Sequence, residues 1–303
     1  MHPSDVSFFG LTLSMWNAMF LVATFLAYFV FRASAAAEPR VNFVVFRYAV
    51  VVYLSALAAQ IFAYAFDANT SLTPPPEVSL WSWYLSPMAG PKTLYGAIVL
   101  YPVSVALASL GTRLGLVRAL DLWTPKMLVF LAVVRVGCLL QGCCYGAHSE
   151  IFGVVFPAGS PVYWEQVRGG LIEQGAVAAL PVVPTQAIEA LFLALLAVWA
   201  MRRERSATPS GIFVPTMAAY SVFRFALEFV RADVTRGLYG PLATSQWIAL
   251  VVLAAAALVW SRQRATGLVR ESPPTFSAAS VPASPPGLAT ASSPARPRGV
   301  VAP

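Results

Sequence analysis

Residues 127–141, MLVFLAVVRVGCLLQ, decide the fold class of this chain. They form an apolar run that contains a single charged side chain, Arg135. As an α-helix this run rises about 22 Å, most of the thickness of the hydrocarbon core of a bilayer. On either side of it lie six further apolar stretches, at residues 8–31, 41–66, 93–110, 184–201, 211–230 and 245–260. The pattern predicts seven transmembrane helices.

The composition favours an all-α polytopic membrane protein. Of the 303 residues, 58% are hydrophobic and 11% are charged. In a typical soluble protein about a quarter of the residues are charged. A net charge of +7 would suggest a nucleic-acid partner for a soluble protein, so the positions of the basic residues decide what the charge means.

The basic residues lie mostly on one side of the predicted membrane domain. Thirteen of the 20 fall in alternate gaps between spans, at residues 32–40, 111–126, 202–210 and after residue 261. The other gaps hold Lys92, Arg168 and Arg236. The positive-inside rule therefore places the N-terminus outside and the C-terminus in the cytoplasm. The positive charge therefore reflects the orientation of the chain in the membrane, and we expect no nucleic-acid partner.

The distribution of apolar stretches along the sequence divides the chain into two regions. Residues 1–262 form the membrane domain, and residues 142–183 form its outer-face loop, whose apolar patches at 151–156 and 162–164 suit a membrane surface. Residues 263–303 are rich in Pro, Ser and Ala, which is typical of a disordered cytoplasmic tail. Arg32 follows the first apolar core instead of preceding it, so we expect this span to be retained and not cleaved as a signal peptide.

Four arginines lie within or at the edge of predicted spans: Arg47, Arg135, Arg224 and Arg231. A charge at such a depth costs several kcal/mol unless it is paired, snorkels to the interface or faces a wet cavity. Arg47 lies near the predicted inner end of its span and can snorkel. Arg135 is nine residues past Lys126, roughly 13.5 Å along a helix, which predicts a position near the middle of the membrane.

The sixth span carries a polar stripe, because four polar residues recur at intervals of four, four and three: Tyr220, Arg224, Glu228 and Arg231. One interpretation is a self-satisfied ladder that packs helices. The other is a site with surplus positive charge, since the fifth span adds only Gln186 and Glu189. Surplus buried charge favours an anion, and a phospholipid phosphate is the anion that a membrane provides.

All three cysteines, Cys138, Cys143 and Cys144, lie at the end of the fourth span. An odd number excludes a closed disulfide framework. Zinc would need a fourth ligand, for which His148 is the only nearby histidine, and the spacing matches no standard zinc pattern. We therefore expect no metal and no cofactor. The thiols are either small buried side chains at a glycine-rich helix end, or redox-active or acyl-accepting groups.

With these motifs in order, residues 8–260 resemble the bacterial prolipoprotein diacylglyceryl transferases, a family of seven-span inner-membrane enzymes. The resemblance rests on RVG at 135–137 with QG and YG after it, on PTQAIE at 184–189, and on YSVFRFALEFVRAD at 220–233. Residues 90–97 and 9–11 resemble shorter family motifs.

The resemblance implies transfer of a diacylglyceryl group from phosphatidylglycerol to the lipobox cysteine in the signal peptide of a prolipoprotein, in the bacterial plasma (inner) membrane. Arg135 and Arg224 would be catalytic and stabilise the leaving phosphate, and Tyr95 would occupy the catalytic position of a family histidine. The substrate-binding positions would be Arg135, Gln141, Cys143, Gln186, Glu189, Tyr220 and Glu228.

The chain departs from the family pattern at several positions. Tyr95 stands in place of the histidine, and Cys138, Gln141 and Cys143 stand in place of Asn, Asn and Glu. Val183 and Phe9 replace a histidine and a tyrosine. Two other hypotheses follow. One is a non-catalytic paralogue that binds anionic phospholipid or lipoprotein. The other is a thiol-dependent enzyme that uses Cys143 or Cys144.

Overall fold

A computed structural model describes residues 5–8, 11–34, 47–57, 94–110, 115–204, 211–233 and 237–265. Predictions for Phe9, Lys92, Arg236 and the segment 266–303 lie outside the described residues, as does the side chain of Tyr95. The strands are β1 Asp5–Phe8, β2 Leu11–Ser14, β3 Leu238–Tyr239 and β4 Leu242–Ala243. The helices are α1 Met15–Ser34, α2 Arg47–Leu57, α3 Leu94–Ala108, α4 Leu116–Gln141, α5 Pro161–Arg168, α6 Thr185–Arg203, α7 Phe213–Leu227 with a 3-10 turn at Glu228–Val230, and α8 Thr244–Ala265.

The described residues form a multi-pass helical membrane protein with little sheet. Five helices are long and apolar enough to cross a bilayer: α1, α4, α6, α7 with its 3-10 turn, and α8. Large apolar side chains such as Phe25, Phe29, Leu191 and Val251 are exposed on them. Exposed apolar side chains of this kind suit contact with lipid. The shorter α2 and α3 lie within the second and third predicted spans.

The first span begins at Met15 and not at residue 8, which corrects the predicted boundary. Residues Asp5–Phe8 and Leu11–Ser14 form an antiparallel hairpin in which Phe8 pairs with Leu11. Within each of these two strands, apolar residues alternate with Asp, Ser or Thr. Alternation with a period of two favours strands over a helix.

The fourth span begins at Leu116, eleven residues before the predicted start, so the interpretation of residues 116–126 as an inner loop is wrong. Lys126 is buried and forms an ion pair with Glu204 at the end of α6. Trp123 stacks on Phe31 of α1, with ring centroids 4.5 Å apart. An ion pair to another helix thus offsets the cost of the buried lysine in this segment.

The earlier start of α4 also changes where Arg135 lies relative to the two ends of the helix. Six residues separate it from the end of the helix at Gln141, a rise of about 9 Å, while nineteen separate it from Leu116. Along the helix, Arg135 therefore lies nearer to the Gln141 end than to the middle, and its predicted depth near the middle of the membrane stays a prediction. Arg135 lies in the third of α4 that ends at the cysteine turn.

Asp121 fixes the start of α7. Its Oδ1 accepts hydrogen bonds from the amides of Ile212, at 3.2 Å, and Phe213, at 2.7 Å. Ile212 is the residue before α7 and Phe213 is its first residue, so neither amide has a carbonyl partner within the helix.

We expect Asp121→Ala to lower the free energy of unfolding by about 1–3 kcal/mol, because it leaves buried amide donors without an acceptor. Asp121→Asn retains an oxygen at the same place and should cost less. Thermal unfolding in detergent micelles would compare the two, and equal losses would show that Asp121 does not act as a cap.

Helix α4 lies at the centre of the described structure and packs against α1 on one side and α6 on the other. Helices α7 and α8 pack together, and Phe223 of α7 stacks on Phe192 of α6 with centroids 4.0 Å apart. One apolar core joins α1, α2, α3 and α4, and a second joins α4, α6 and α7. Tyr220 belongs to the second core and also to the site described below.

The loop at residues 142–183 has a small core of its own, and only part of it suits a membrane surface. Ile151 and Phe152 are 84% and 75% exposed, as predicted for an interfacial patch. Phe156, Val162 and Tyr163 are instead buried within the loop, which corrects the prediction for them. Short helix α5 begins where the Ser160 hydroxyl accepts a hydrogen bond from the Tyr163 amide.

Candidate functional site

A tight turn follows α4 and places the cysteines. Gly142 adopts a left-handed conformation, with φ of 76°, and its amide donates to the carbonyls of Cys138 and Leu139. Cys144 is also left-handed, with φ of 62°, which is uncommon for a side-chain-bearing residue. Two left-handed residues thus lie within three positions, and the thiols of Cys143 and Cys144 lie near that of Cys138.

The start of α6 holds this turn in place. The Gln186 amide donates to the Cys143 carbonyl at 2.6 Å, and the Thr185 hydroxyl donates to the Cys144 carbonyl at 2.7 Å. Both side chains are buried. Two motifs that are more than 40 residues apart in the sequence thus meet.

Gly146 and its neighbours lie between two other segments. The Gly146 amide donates to the Val183 carbonyl and the Ala147 amide to the Val230 carbonyl, both at 2.8 Å. A β-carbon on Gly146 would lie 2.8 Å from Thr185 Cγ2 and 2.9 Å from the Val230 carbonyl oxygen. No side chain fits without moving the backbone.

We expect Gly146→Ala to lower the free energy of unfolding by about 1–3 kcal/mol through overpacking, and to lower activity because it displaces the start of α6. Gly115→Ala is the matched control, since its β-carbon would meet nothing within 4 Å. Thermal unfolding of both variants checks the expectation. Equal midpoints for the two would contradict it.

Arg135 is held by residues from two other helices. Its Nε lies 2.9 Å from Glu189 Oε2, and the Tyr220 hydroxyl donates to Glu189 Oε1 at 2.6 Å. All three residues are buried. Because Glu189 takes Nε, the other end of the guanidinium faces the cysteine turn, where Nη1 lies 3.9 Å from Cys138 Sγ.

A second set of charges lies at the end of α7. Arg224 Nη1 is 2.8 Å from Glu228 Oε2, and both side chains are at most 2% exposed. Arg231 binds Asp233 through Nε at 2.7 Å and Nη2 at 2.5 Å, and lies 3.9 Å from Glu228. Arg224 and Arg231 are also close enough to Glu189 to interact with its charge. The two sets therefore form one cluster.

The cluster corrects two predictions. Helix α7 ends at Leu227 and Arg231 is extended, so the polar stripe is not one helical face throughout. Among the described residues, three arginines meet three carboxylates, because Asp233 joins Glu189 and Glu228. The formal charge of these six groups is balanced, and the predicted surplus of positive charge is not found.

The three cysteines form a compact thiol cluster. Their Sγ atoms all lie within 4.8 Å of one another; Cys138 is buried, and Cys143 and Cys144 are partly exposed. Hydrogen bonds from the Cys138 and Cys143 thiols hold the pKa of the Cys144 thiol well below its usual range. The charges of Arg231 and Arg135 act in the same direction, and burial opposes them.

Most of the predicted site residues meet here, with two exceptions. Gln186, Glu189, Tyr220 and Glu228 join the arginines and Cys143, as described above. The Gln141 side chain instead accepts a hydrogen bond from the Trp16 amide at 3.4 Å and faces α1. The side chain of Tyr95 lies outside the described residues.

His148 lies away from the thiols. Its Nδ1 is 2.8 Å from the Pro181 carbonyl, and its Nε2 is 3.0 Å from Glu150. The imidazole is about half exposed, so this histidine belongs to the surface of the loop.

Two residues of the site, Thr185 and Asp233, were not predicted from the sequence. Thr185 sits beside Gln186 in the PTQ motif, and Asp233 ends the YSVFRFALEFVRAD motif. Their positions within these motifs are the sequence feature that could have identified both residues.

A family model described as prolipoprotein diacylglyceryl transferase matches residues 3–262. The chain is similar to phosphatidylglycerol–prolipoprotein diacylglyceryl transferase 2 of Clostridium perfringens, with 33% identity over 180 residues, 57% of this chain and 63% of the relative. It is 32% identical over 173 residues to the phosphatidylglycerol–prolipoprotein diacylglyceryl transferase of Clostridium tetani, 56% of this chain and 64% of that one. Against the protein of the same name from Geobacter sulfurreducens, identity is 29% over 248 residues, 76% of this chain and 83% of the relative.

The matches thus differ in extent. The chain spans just under two thirds of the length of the two clostridial relatives, whereas the family model extends over nearly all of the membrane helices.

Proposed function

The chain belongs to the prolipoprotein diacylglyceryl transferase family, and from this premise we propose that it transfers the diacylglyceryl group of phosphatidylglycerol to the lipobox cysteine of a prolipoprotein. In this reaction the cysteine sulfur attacks the glyceryl carbon, the bond from that carbon to the phosphate oxygen breaks, and glycerol phosphate leaves. The enzyme must therefore stabilise negative charge on a departing phosphate and help a thiol to lose its proton.

The observation that carries the proposal is a pair of buried guanidinium groups: Arg135, which lies beside the cysteine turn, and Arg224, which is close enough to Glu189, the partner of Arg135, to interact with its charge. Arginine binds phosphate through several N–H groups at once, and a site that excludes water strengthens each contact. Their carboxylate partners, Glu189 and Glu228, hold both groups in fixed orientations before substrate arrives. Such preorganisation is what electrostatic catalysis requires.

We assign catalytic roles to Arg135 and Arg224, which stabilise the leaving phosphate, and to Tyr95, which stands where the family has a histidine. Glu189, Tyr220 and Glu228 position the arginines. Cys143 contributes to substrate binding at the turn, whereas the Gln141 side chain faces α1 and links α4 to that helix.

Gln186 contributes to substrate binding. Its Oε1 is buried and has no hydrogen-bond partner among the described residues. A buried acceptor of this kind is normally satisfied, and a hydroxyl of the glycerol headgroup would satisfy it.

We place the enzyme in the bacterial plasma membrane with seven spans, the N-terminus and residues 142–183 outside, and residues 263–303 as a cytoplasmic tail. Basic residues in the last turns of the first, fifth and seventh proposed spans support this orientation: Arg32 in α1, Arg202 and Arg203 in α6, and Arg262 and Arg264 in α8. These turns would all lie on the cytoplasmic side. Helix α8 continues to Ala265, three residues beyond the proposed domain end.

Complementation tests the function. A bacterial strain depleted of its own transferase should regain lipoprotein modification when it expresses the full chain. The purified chain should move labelled diacylglycerol from phosphatidylglycerol vesicles to a lipobox peptide, and not to the same peptide with serine for cysteine. Retention of phosphatidylglycerol without transfer would contradict the proposal and favour the non-catalytic paralogue.

A further inference from the structure

We propose that Cys138, Cys143 and Cys144 bind a zinc ion, and that the fourth position of this ion takes the lipobox thiol of the incoming prolipoprotein. The inference rests on the proposed transferase function and adds to it the means by which the thiol becomes a thiolate. The spacing along the chain gave no zinc pattern, but the three-dimensional arrangement of the thiols does.

The distances fit a tetrahedral site. Zinc–sulfur bonds of about 2.3 Å at tetrahedral angles separate two sulfurs by about 3.8 Å. The three Sγ atoms lie within 4.8 Å of one another, so side-chain adjustments of about 1 Å bring them to bonding positions. Rotation about χ1 supplies movements of this size without a change in the backbone.

The backbone holds the ligands in place before any ion binds. Cys138 lies in the last turn of α4, and the carbonyls of Cys143 and Cys144 are fixed by Gln186 and Thr185. The left-handed conformation at Cys144 brings two consecutive thiols into one cluster. Strained backbone held by its surroundings in this way is typical of functional sites.

The charges around the thiols also favour this site. Three thiolates and one Zn²⁺ carry a net charge of −1. Arg135 Nη1 lies 3.9 Å from Cys138 Sγ, and the backbone of Arg231 pairs with that of Gly146, two residues after Cys144. Cations this close to the site offset the negative charge of the complex.

Three protein ligands are characteristic of zinc sites that act on substrates, because the fourth position of the tetrahedron is left for a substrate atom. No histidine, aspartate or glutamate of the described residues joins the three thiols as a fourth ligand. Cys143 and Cys144 are partly exposed whereas Cys138 is buried, so a substrate approaches the ion from their side.

The chemistry balances without an oxidant or reductant. The lipobox thiol binds the ion as a thiolate and releases its proton to solvent. A bond forms between its sulfur and the glyceryl carbon, the carbon–oxygen bond breaks, and the electron pair leaves with the phosphate towards Arg135 and Arg224. The resulting thioether is a weaker ligand than a thiolate, so product can dissociate from the ion. This chain has Tyr95 in place of the family histidine, and zinc would supply the deprotonation of the lipobox thiol.

Cobalt is the probe that tests the site. The full chain, purified in detergent with a phosphine reductant and freed of metal, should bind one Co²⁺ with thiolate-to-cobalt charge-transfer bands and the visible bands of a four-coordinate ion. Each single Cys→Ser variant should weaken binding by at least about tenfold. His148→Ala is the control and should leave the cobalt spectrum unchanged. A lipobox peptide should shift the visible bands, and the serine peptide should not.

The outcomes separate this inference from the proposed function. Absence of the charge-transfer bands, or a spectrum that does not respond to the cysteine peptide, overturns the zinc inference. So does undiminished transfer by the triple Cys→Ser variant, and in that case the transferase function stands. A cobalt spectrum that responds to the peptide, in a chain that never transfers lipid, supports the thiol site and contradicts the transferase proposal.

Discussion

Arg224→Lys is expected to lower the rate of diacylglyceryl transfer by about 10²- to 10³-fold, the usual effect of removing one donor that stabilises charge in a transition state. Lysine keeps the positive charge but has a single ammonium in place of a planar fork of five N–H groups. Since Glu228 lies 2.8 Å from Arg224 Nη1, a lysine that reaches Glu228 has little left to offer a phosphate. The measurement is the rate of label transfer to a lipobox peptide at saturating phosphatidylglycerol.

Arg118→Lys is the matched control, because Arg118 is exposed on α4 and should tolerate the change. The thermal midpoint of Arg224→Lys, measured in the same detergent, shows whether the variant is folded. A folded variant with the rate of the unaltered chain would remove Arg224 from the catalytic group.

The position of Arg224 was predictable from the sequence, but its charge balance was not. Charged residues are rare in apolar spans, so Arg135, Arg224 and Glu228 stand out in the sequence by their positions alone. Asp233 lies beyond the last apolar residue of the span, where a carboxylate usually faces water. Only the extended backbone after Val230 folds Arg231 back onto Asp233 and Glu228, and that path depends on the contact between Gly146 and Arg231.

The start of α4 is a second feature that the sequence does not predict. Residues 116–126 contain Asp121 and Lys126, and isolated polar groups are costly inside a membrane. Their partners, the first amides of α7 and the carboxylate of Glu204, lie more than 75 residues away. Hydropathy along one helix cannot register a charge that another helix neutralises.

The thiol cluster was missed for a different reason. Zinc patterns in sequences describe ligands on regular hairpins and helices, in which spacing determines distance. Here the left-handed residues Gly142 and Cys144 reverse the chain, and adjacent cysteines come to lie beside Cys138. The glycine was visible in the sequence, but a left-handed conformation at a cysteine was not.

Glu189→Gln is expected to lower the free energy of unfolding by about 3–5 kcal/mol, the usual cost of removing one partner from a buried ion pair. The glutamine retains an oxygen that can accept from Tyr220, but Arg135 would be left in the interior without its 2.9 Å carboxylate partner. Tyr220→Phe removes only the 2.6 Å hydrogen bond to Glu189 and should cost about 1.5–3 kcal/mol. Unfolding in detergent would rank the two, and Glu150→Gln in the exposed loop should have no effect.

A double variant, Arg135→Met with Glu189→Met, separates the structural role of this pair from its proposed catalytic role. Replacing both members of a buried ion pair by apolar residues of similar volume is often neutral or stabilising, so most of the stability lost in Glu189→Gln should return. Transfer should not return, because the cation that faces the leaving phosphate is gone. If the double variant regained both stability and transfer, the pair would be a packing device, and Arg224 alone would have to stabilise the phosphate. Recovery of stability alone would mean that Glu189 is present because a catalytic arginine at this depth requires a carboxylate partner.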